Sequence, residues 1–202
     1  MSTTHRPRTR LDPEIRREQI VEAAELVFQG RDPNDVTFEE IAEAAGVSRA
    51  LVYNYFGDKG GLIAAVYLRS LGRLDQQLRR EVDPTAPDGE RLQSVVRSYL
   101  TFAVENAAAW RLIGSTATME HPEVLKARHD RFEQLARDWG DTPEARIAAR
   151  AVVGFLESAT LDWIENGEVD IDHITDLLSR ILWTGLSTVS PTEARVPPAP
   201  VS

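Results

Sequence analysis

From Val47 to Gly57 the sequence reads VSRALVYNYFG and contains no carboxylate, although the chain has 32 acidic residues and a net charge of −9. In their place stand a hydroxyl at Ser48, a guanidinium at Arg49, a phenol at Tyr53 and an amide at Asn54, with Ala50 and Leu51 among them. A surface that approaches phosphate excludes acids and offers donors of this kind. A guanidinium can fork onto guanine O6 and N7, and a small apolar side chain can touch a thymine methyl. Arg49 is therefore assigned to guanine, and Ala50 or Leu51 to thymine. The negative net charge excludes a protein that coats nucleic acid non-specifically, but it allows a small reading surface, because only local charge meets phosphate. Residues 1–11 reverse the sign locally, with Arg6, Arg8 and Arg10 and no acid. A flexible arm of this composition ahead of a reading unit can reach a minor groove.

The surrounding residues specify how that strip is held. Asp12 and Pro13 suit an N-cap and first helical position, and Ile20, Ala23, Ala24, Val27 and Phe28 then form one apolar stripe ending near Gly30. Thr37 and Glu40 have capping-box spacing, with Val36 and Ile41 as the hydrophobic staple. That short helix, Phe38 to Ala45, stops at Gly46, a residue that tolerates the left-handed conformation. Ser48 caps the next helix, and Val47 with Val52 forms a second staple. Ala42 allows the two backbones to cross closely, so the pair reads as a helix-turn-helix whose second helix lies in a major groove. Asp58 can cap a fourth helix.

This text, IVEAAELVF followed by VTFEEIAEAAGVSRALVYNYFGDKGGL, resembles the DNA-binding domain of the TetR family of bacterial transcriptional regulators over residues 15–62. The resemblance implies phosphate contacts from Thr37, Tyr53 and Lys59. Gly60 and Gly61 depart from the family pattern, which places good helix formers there; glycine within a helix costs about 1 kcal/mol relative to alanine. A loose start to the fourth helix is the expectation.

Beyond a break at residues 83–89, helical patterns cover roughly residues 90–108, 122–139, 143–165 and 172–188, with no convincing period of two. Two segments, IAARAVVGF and ITDLLSRILWTGL, are apolar nearly all round and require burial on two sides. Ala148, Ala151, Gly154, Leu178, Ile181 and Gly185 are assigned to a self-complementary four-helix dimer interface, and the resemblance independently implies such a homodimer. In that family an effector sits between the helices and moves the fourth one. Candidate ligand contacts are Tyr67, Tyr99, Phe102, Trp110, Phe132, Phe155 and Trp163, although any one of them alone reads as plain core. Arg111 and His121, at the edge of the polar segment 110–124, are candidates for an anionic head group on a lipophilic, acyl-type ligand.

Other chemistries find little support. Cysteine is absent, so disulfide and thiolate chemistry are excluded and the cytoplasm is the expected location. His5, His121, His129 and His173 lack metal-ligand spacing, and no phosphate loop, nucleophile elbow or metalloprotease motif occurs. Glu157 and Asp162 are the most interesting acids for a helical-bundle enzyme; a solvated or capped face accounts for both. An effector-less architectural DNA binder is the other alternative, disfavoured by the charge. The sequence thus predicts an all-α protein: a basic arm (1–11), a DNA-binding unit (12–58), an effector-binding and dimerisation domain (59–189) and a tail (190–202). It predicts an operator-binding regulator, which the family resemblance alone implies to be a repressor, with double-stranded DNA, a small-molecule effector and a second copy of itself as partners, and with no cofactor, metal or catalysis.

Overall fold

The computed structural model describes residues 12–188 apart from Gly30, Asp32 and residues 112–118. The arm carrying Arg6, Arg8 and Arg10 and the tail from 190 lie outside the described residues. The described elements are helices: α1 (Pro13–Phe28), a short 3-10 turn (Pro33–Asp35), α2 (Phe38–Ala44), α3 (Arg49–Phe56), α4 (Lys59–Glu81), α5 (Asp88–Glu105), α6 (Ala107–Arg111), α7 (Pro122–Asp138), α8 (Pro143–Asn166) and α9 (Ile171–Thr188). No strand occurs among the described residues, which agrees with the all-α expectation. None of the described helices is long and apolar enough to cross a membrane.

Local sequence sets most helix boundaries. The Asp12 carboxylate accepts from the Glu14 amide at 2.8 Å, and Pro143 follows a Thr142 hydroxyl that accepts from the Ala145 amide at 3.1 Å. Both prolines occupy the first turn, where no amide donor is needed. At the end of α7, Gly140 has φ +109°, and the Asp141 amide returns to the Ala136 carbonyl at 2.9 Å. Gly167 ends α8 for another reason: a Cβ there would lie 2.2 Å from the Trp163 carbonyl oxygen.

Two cores form. The smaller gathers Ile20, Ala24, Phe28, Val36, Ile41, Val52 and Phe56 with Leu62, Ile63, Ala65 and Val66. The apolar interior of the DNA-binding unit thus extends two turns into α4, past the boundary at 58. The larger gathers Tyr67, Leu74, Leu78, Val96, Tyr99, Trp110, Leu156, Ile174, Leu178 and Leu182. In it α9 packs on α5, α7 on α8, and α4 on both α5 and α7. One unbroken helix, α4, therefore contributes to both cores.

Candidate nucleic-acid interface and effector cavity

The reading unit is fixed by its turns. The Thr37 hydroxyl accepts from the Glu40 amide at 3.3 Å, and the Glu40 carboxylate accepts from the Thr37 amide at 2.8 Å, completing the capping box. That amide bond, with help from Arg31, lowers the Glu40 pKa to about 2. Gly46 takes φ +64°, and the Val47 amide returns to the Ala42 carbonyl at 2.9 Å. The Ser48 hydroxyl accepts from the Leu51 amide at 3.3 Å, so one lone pair of this candidate DNA contact already serves the cap.

The turn into α4 is tighter than the sequence suggested. Gly57 has φ 73° and ψ −58°, and the Asp58 amide donates to the Phe56 carbonyl at 2.8 Å. This is a γ-turn with positive φ, strained for any residue carrying a Cβ. The Asp58 carboxylate then accepts from the Gly61 amide at 2.8 Å. A Cβ on Gly61 would lie 2.2 Å from the Phe56 oxygen. The glycine expected to loosen this helix start is the residue that lets the chain close it, and that fixes where Lys59 sits.

Of the strip itself, Ser48, Arg49, Ala50, Tyr53 and Asn54 are exposed, Leu51 is half-buried, and Val52 and Phe56 face inward. Tyr53 is 61 % exposed, an uncovered aromatic on the outer face of α3. Thr37 is exposed and Lys59 is half-buried. Absence of acid along α3 does not leave Arg49 without one. Its guanidinium meets Glu39 of α2 at 2.7 Å. Both partners are exposed, and a pair of this kind contributes little and is easily exchanged for another partner.

The second site is a cavity of about 480 Å³ between α4, α5, α6, α7 and α8, with Leu186 of α9 at its wall. Tyr67, Tyr99, Trp110 and Phe132 line it, as the sequence suggested. Phe102 does not; it is buried behind the cavity, edge-on to Trp110 with centroids 6.0 Å apart. Phe155 packs against the larger core without reaching the cavity. Trp163 donates its indole N–H to the Val169 carbonyl at 2.9 Å and locks the α8–α9 turn. Arg111 is exposed and borders a separate polar crevice between α1, α4 and the end of α5. His121 occupies the N-cap position of α7, away from the cavity lining. The anionic head-group assignment to Arg111 and His121 therefore does not fit the geometry.

The charged groups at the cavity were missed or underrated. Arg128 donates bidentately to Glu157 at 2.6 and 2.8 Å and also to the Tyr67 hydroxyl at 3.2 Å. Arg131 pairs with Asp75 of α4. The carboxylate of Glu157 raises the Arg128 pKa, and burial raises those of Tyr67 and, more strongly, Tyr99, so both phenols stay protonated. Glu157 is thus a partly buried ion-pair partner rather than a solvated acid; Asp162 is solvated and accepts from Asn166 at 3.1 Å. No single-helix pattern reveals these pairs, since each joins helices far apart in the chain. A third set links the two units: Arg69 reaches Glu18 at 2.7 Å and Glu25 at 3.2 Å, and Arg73 reaches Glu25 at 2.8 Å and also Asn106. Here the sequence held a signal, acids at 18 and 25 on α1 facing arginines at 69 and 73 on α4.

On the outer faces of α8 and α9, Ile147 is 69 % and Ile181 48 % exposed, with Leu177 and Trp183 also uncovered. Ala151, Gly154 and Gly185 are exposed beside them and Ala148 is half-buried. Leu178 is turned into the protomer's own core and is unavailable to a partner.

Comparison with known proteins agrees with both units. Residues 20–66 match the family described as "Bacterial regulatory proteins, tetR family", and residues 88–185 match "Tetracyclin repressor-like, C-terminal domain". The chain is 29 % identical over 190 residues to the HTH-type transcriptional activator FasR of Mycolicibacterium smegmatis, covering 89 % of this chain and 87 % of that protein. A tetR-family transcriptional regulator from Streptomyces coelicolor superposes with a TM-score of 0.70 at 26 % identity, over 88 % of this chain and 83 % of its own. The fold is also that of FadR from Bacillus subtilis, solved in complex with stearoyl-CoA, at a TM-score of 0.67 and 16 % identity, over 83 % of this chain and 98 % of that one. With an acid-free reading helix on a capped helix-turn-helix and these matches along most of its length, the chain belongs to the TetR family and is a DNA-binding transcriptional regulator.

Proposed function

We propose that the protein binds a palindromic operator as a homodimer and leaves it when a small lipophilic, acyl-type effector enters the cavity, which makes it a repressor. The observation that carries this reading is the continuity of α4. Leu62 and Val66 pack in the core of the reading unit, and Tyr67, Leu71 and Leu74 of the same helix line the cavity. A ligand that spreads α4 from α7 tilts the helix on which the reading unit is mounted. Coupling of this kind requires only a few kcal/mol of differential affinity, about 1–3 kcal/mol being typical. The dimer is supported by the apolar outer faces of α8 and α9, which cover Ile147, Ala151, Gly154, Ile181 and Gly185, with Ala148 at the edge. Symmetric association about a two-fold axis would bury them and set two reading helices for two half-sites. Thr37, Tyr53 and Lys59 then hold phosphates, Arg49 and its neighbours read bases, and the arm with Arg6, Arg8 and Arg10 lies in the flanking minor groove.

The decisive experiment selects bound fragments from genomic DNA and then titrates medium-chain lipophiles into the complex. A shared palindrome and release by a ligand support the proposal. Tighter binding on ligand addition would make the protein a ligand-co-activated regulator and overturn the repressor reading. Fragments with no common sequence would favour an architectural role.

A further inference from the structure

We infer that Arg17 of α1 is a further phosphate-binding residue of the reading unit, held ready for the DNA backbone by the ring of Phe56. This rests on α3 being the reading helix and adds a contact to those proposed above.

The arginines of the reading unit are held in different ways. Arg31 meets Glu40 and Arg49 meets Glu39, each at 2.7 Å. Arg16 donates to the Gln19 side chain at 3.2 Å. Arg17 meets no carboxylate among the described residues; its guanidinium lies over the Phe56 ring, 5.3 Å from the centroid. Stacking of this kind engages the face of the guanidinium. Its N–H donors lie in the plane and point outward, where they can fork onto two phosphate oxygens. An acid-paired arginine such as Arg49 must first release its carboxylate to take a phosphate. Arg17 has none to release, and its ring platform already limits where the long side chain can go.

The platform also fixes the place. Phe56 lies three residues beyond Tyr53 and seven beyond Arg49, so the three follow one side of α3. Arg49 and Tyr53 are exposed, whereas Phe56 is 9 % exposed and marks the border of that outer face. The chain then turns at Gly57 and starts α4 at Lys59. Arg17 therefore stands on the ring that separates Tyr53 from the start of α4, beside the two residues assigned to phosphates there. It belongs to the second turn of α1, at the end that the basic arm joins. A backbone contact from this edge positions the head on DNA and carries no sequence information.

The test titrates the purified full-length protein onto two duplexes of one length, the operator fragment recovered from genomic DNA and a shuffled sequence, between about 50 and 200 mM salt. Arg17→Gln should weaken both duplexes by the same factor, about tenfold. It should also make log affinity against log salt shallower by about 1 for each protomer bound. Arg17→Lys keeps the charge and should keep the parent slope while losing about threefold, because an ammonium cannot fork. A merely structural Arg17 would lower melting temperature and affinity together with the slope unmoved, and that result overturns the inference. So does parent affinity with parent slope, or a loss confined to the operator fragment, which would signify base reading. In each of these cases loss of binding by the Arg49→Glu, Tyr53→Glu variant leaves the reading assignment standing. If that variant binds undiminished, α3 is not the reading surface and this inference falls with it.

Discussion

The reading unit and the effector domain are built on opposite plans. The first consists of short helices whose ends are fixed by neighbours in sequence: Thr37 with Glu40, Gly46 with Val47, Ser48 with Leu51, and Asp58 with Gly61. The second consists of long helices joined by partners distant in sequence, 29 residues apart for Arg128 and Glu157 and 56 for Arg131 and Asp75. It keeps a cavity of about 480 Å³ and an uncovered apolar face. The comparison teaches where each unit can yield. A head that must present α3 in one orientation is specified locally and tightly. The larger domain keeps an incompletely packed interior, and its helices are tied by ion pairs between residues far apart in the chain.

That contrast can be broken at several points. The largest effect should come from Arg49→Glu combined with Tyr53→Glu. Reversing the charge of the reading strip should weaken operator binding by on the order of a thousandfold, measured by gel retardation, with melting temperature nearly unchanged. Undiminished binding would show that α3 is not the reading surface.

Next in size are the ion pairs. Glu157→Ala strands Arg128 in a partly buried site and should cost about 3 kcal/mol in urea unfolding. Glu39→Ala removes an exposed pair of similar length and should change stability by less than about 0.5 kcal/mol. Equal effects would erase the distinction between the two units. A smaller test concerns glycines of one helix. Gly61→Ala should lose about 2 kcal/mol, because the new Cβ meets the Phe56 carbonyl. Gly72→Ala, with nothing within 4 Å, should gain about 0.5–1 kcal/mol.

The smallest effect is a pH dependence confined to the head. The Glu40 pKa is depressed from 4.5 to about 2, first by the Thr37 amide and then by Arg31. A depressed acid contributes stability that is fully present above its unfolded pKa and is lost as pH falls through the folded value. The capping box should therefore weaken progressively as pH falls from about 4.5 to 2. Glu40→Gln should remove that part of the pH dependence of thermal unfolding, and an identical acid profile in the variant would contradict the assignment.

The legibility of the sequence follows the same division. Helix starts at Asp12, Thr37, Ser48 and Asp58 could be read because a cap lies within three residues of the amide it serves. The aromatic lining was half legible. Tyr67, Tyr99, Trp110 and Phe132 face the cavity, but Phe102, Phe155 and Trp163 have the same composition signal and point elsewhere. Leu178 was placed at the dimer face because its helix is apolar nearly all round, and such a helix does not reveal which side its own protomer takes. Gly61 was read as a weak point because propensity counts the missing side chain, not the carbonyl that needs the space.

The sequence by itself determined the helical class, the helix-turn-helix and its turns, and the donor-rich, acid-free strip on α3. All of these depend on residues within a few positions of one another, where geometry follows from chemistry. Tertiary structure alone decided which arginines are neutralised and which aromatics line the cavity. It also decided which face of α8 and α9 stays open, and that α4 serves two cores at once. Those outcomes depend on which helix happens to lie alongside, and no local pattern carries that information.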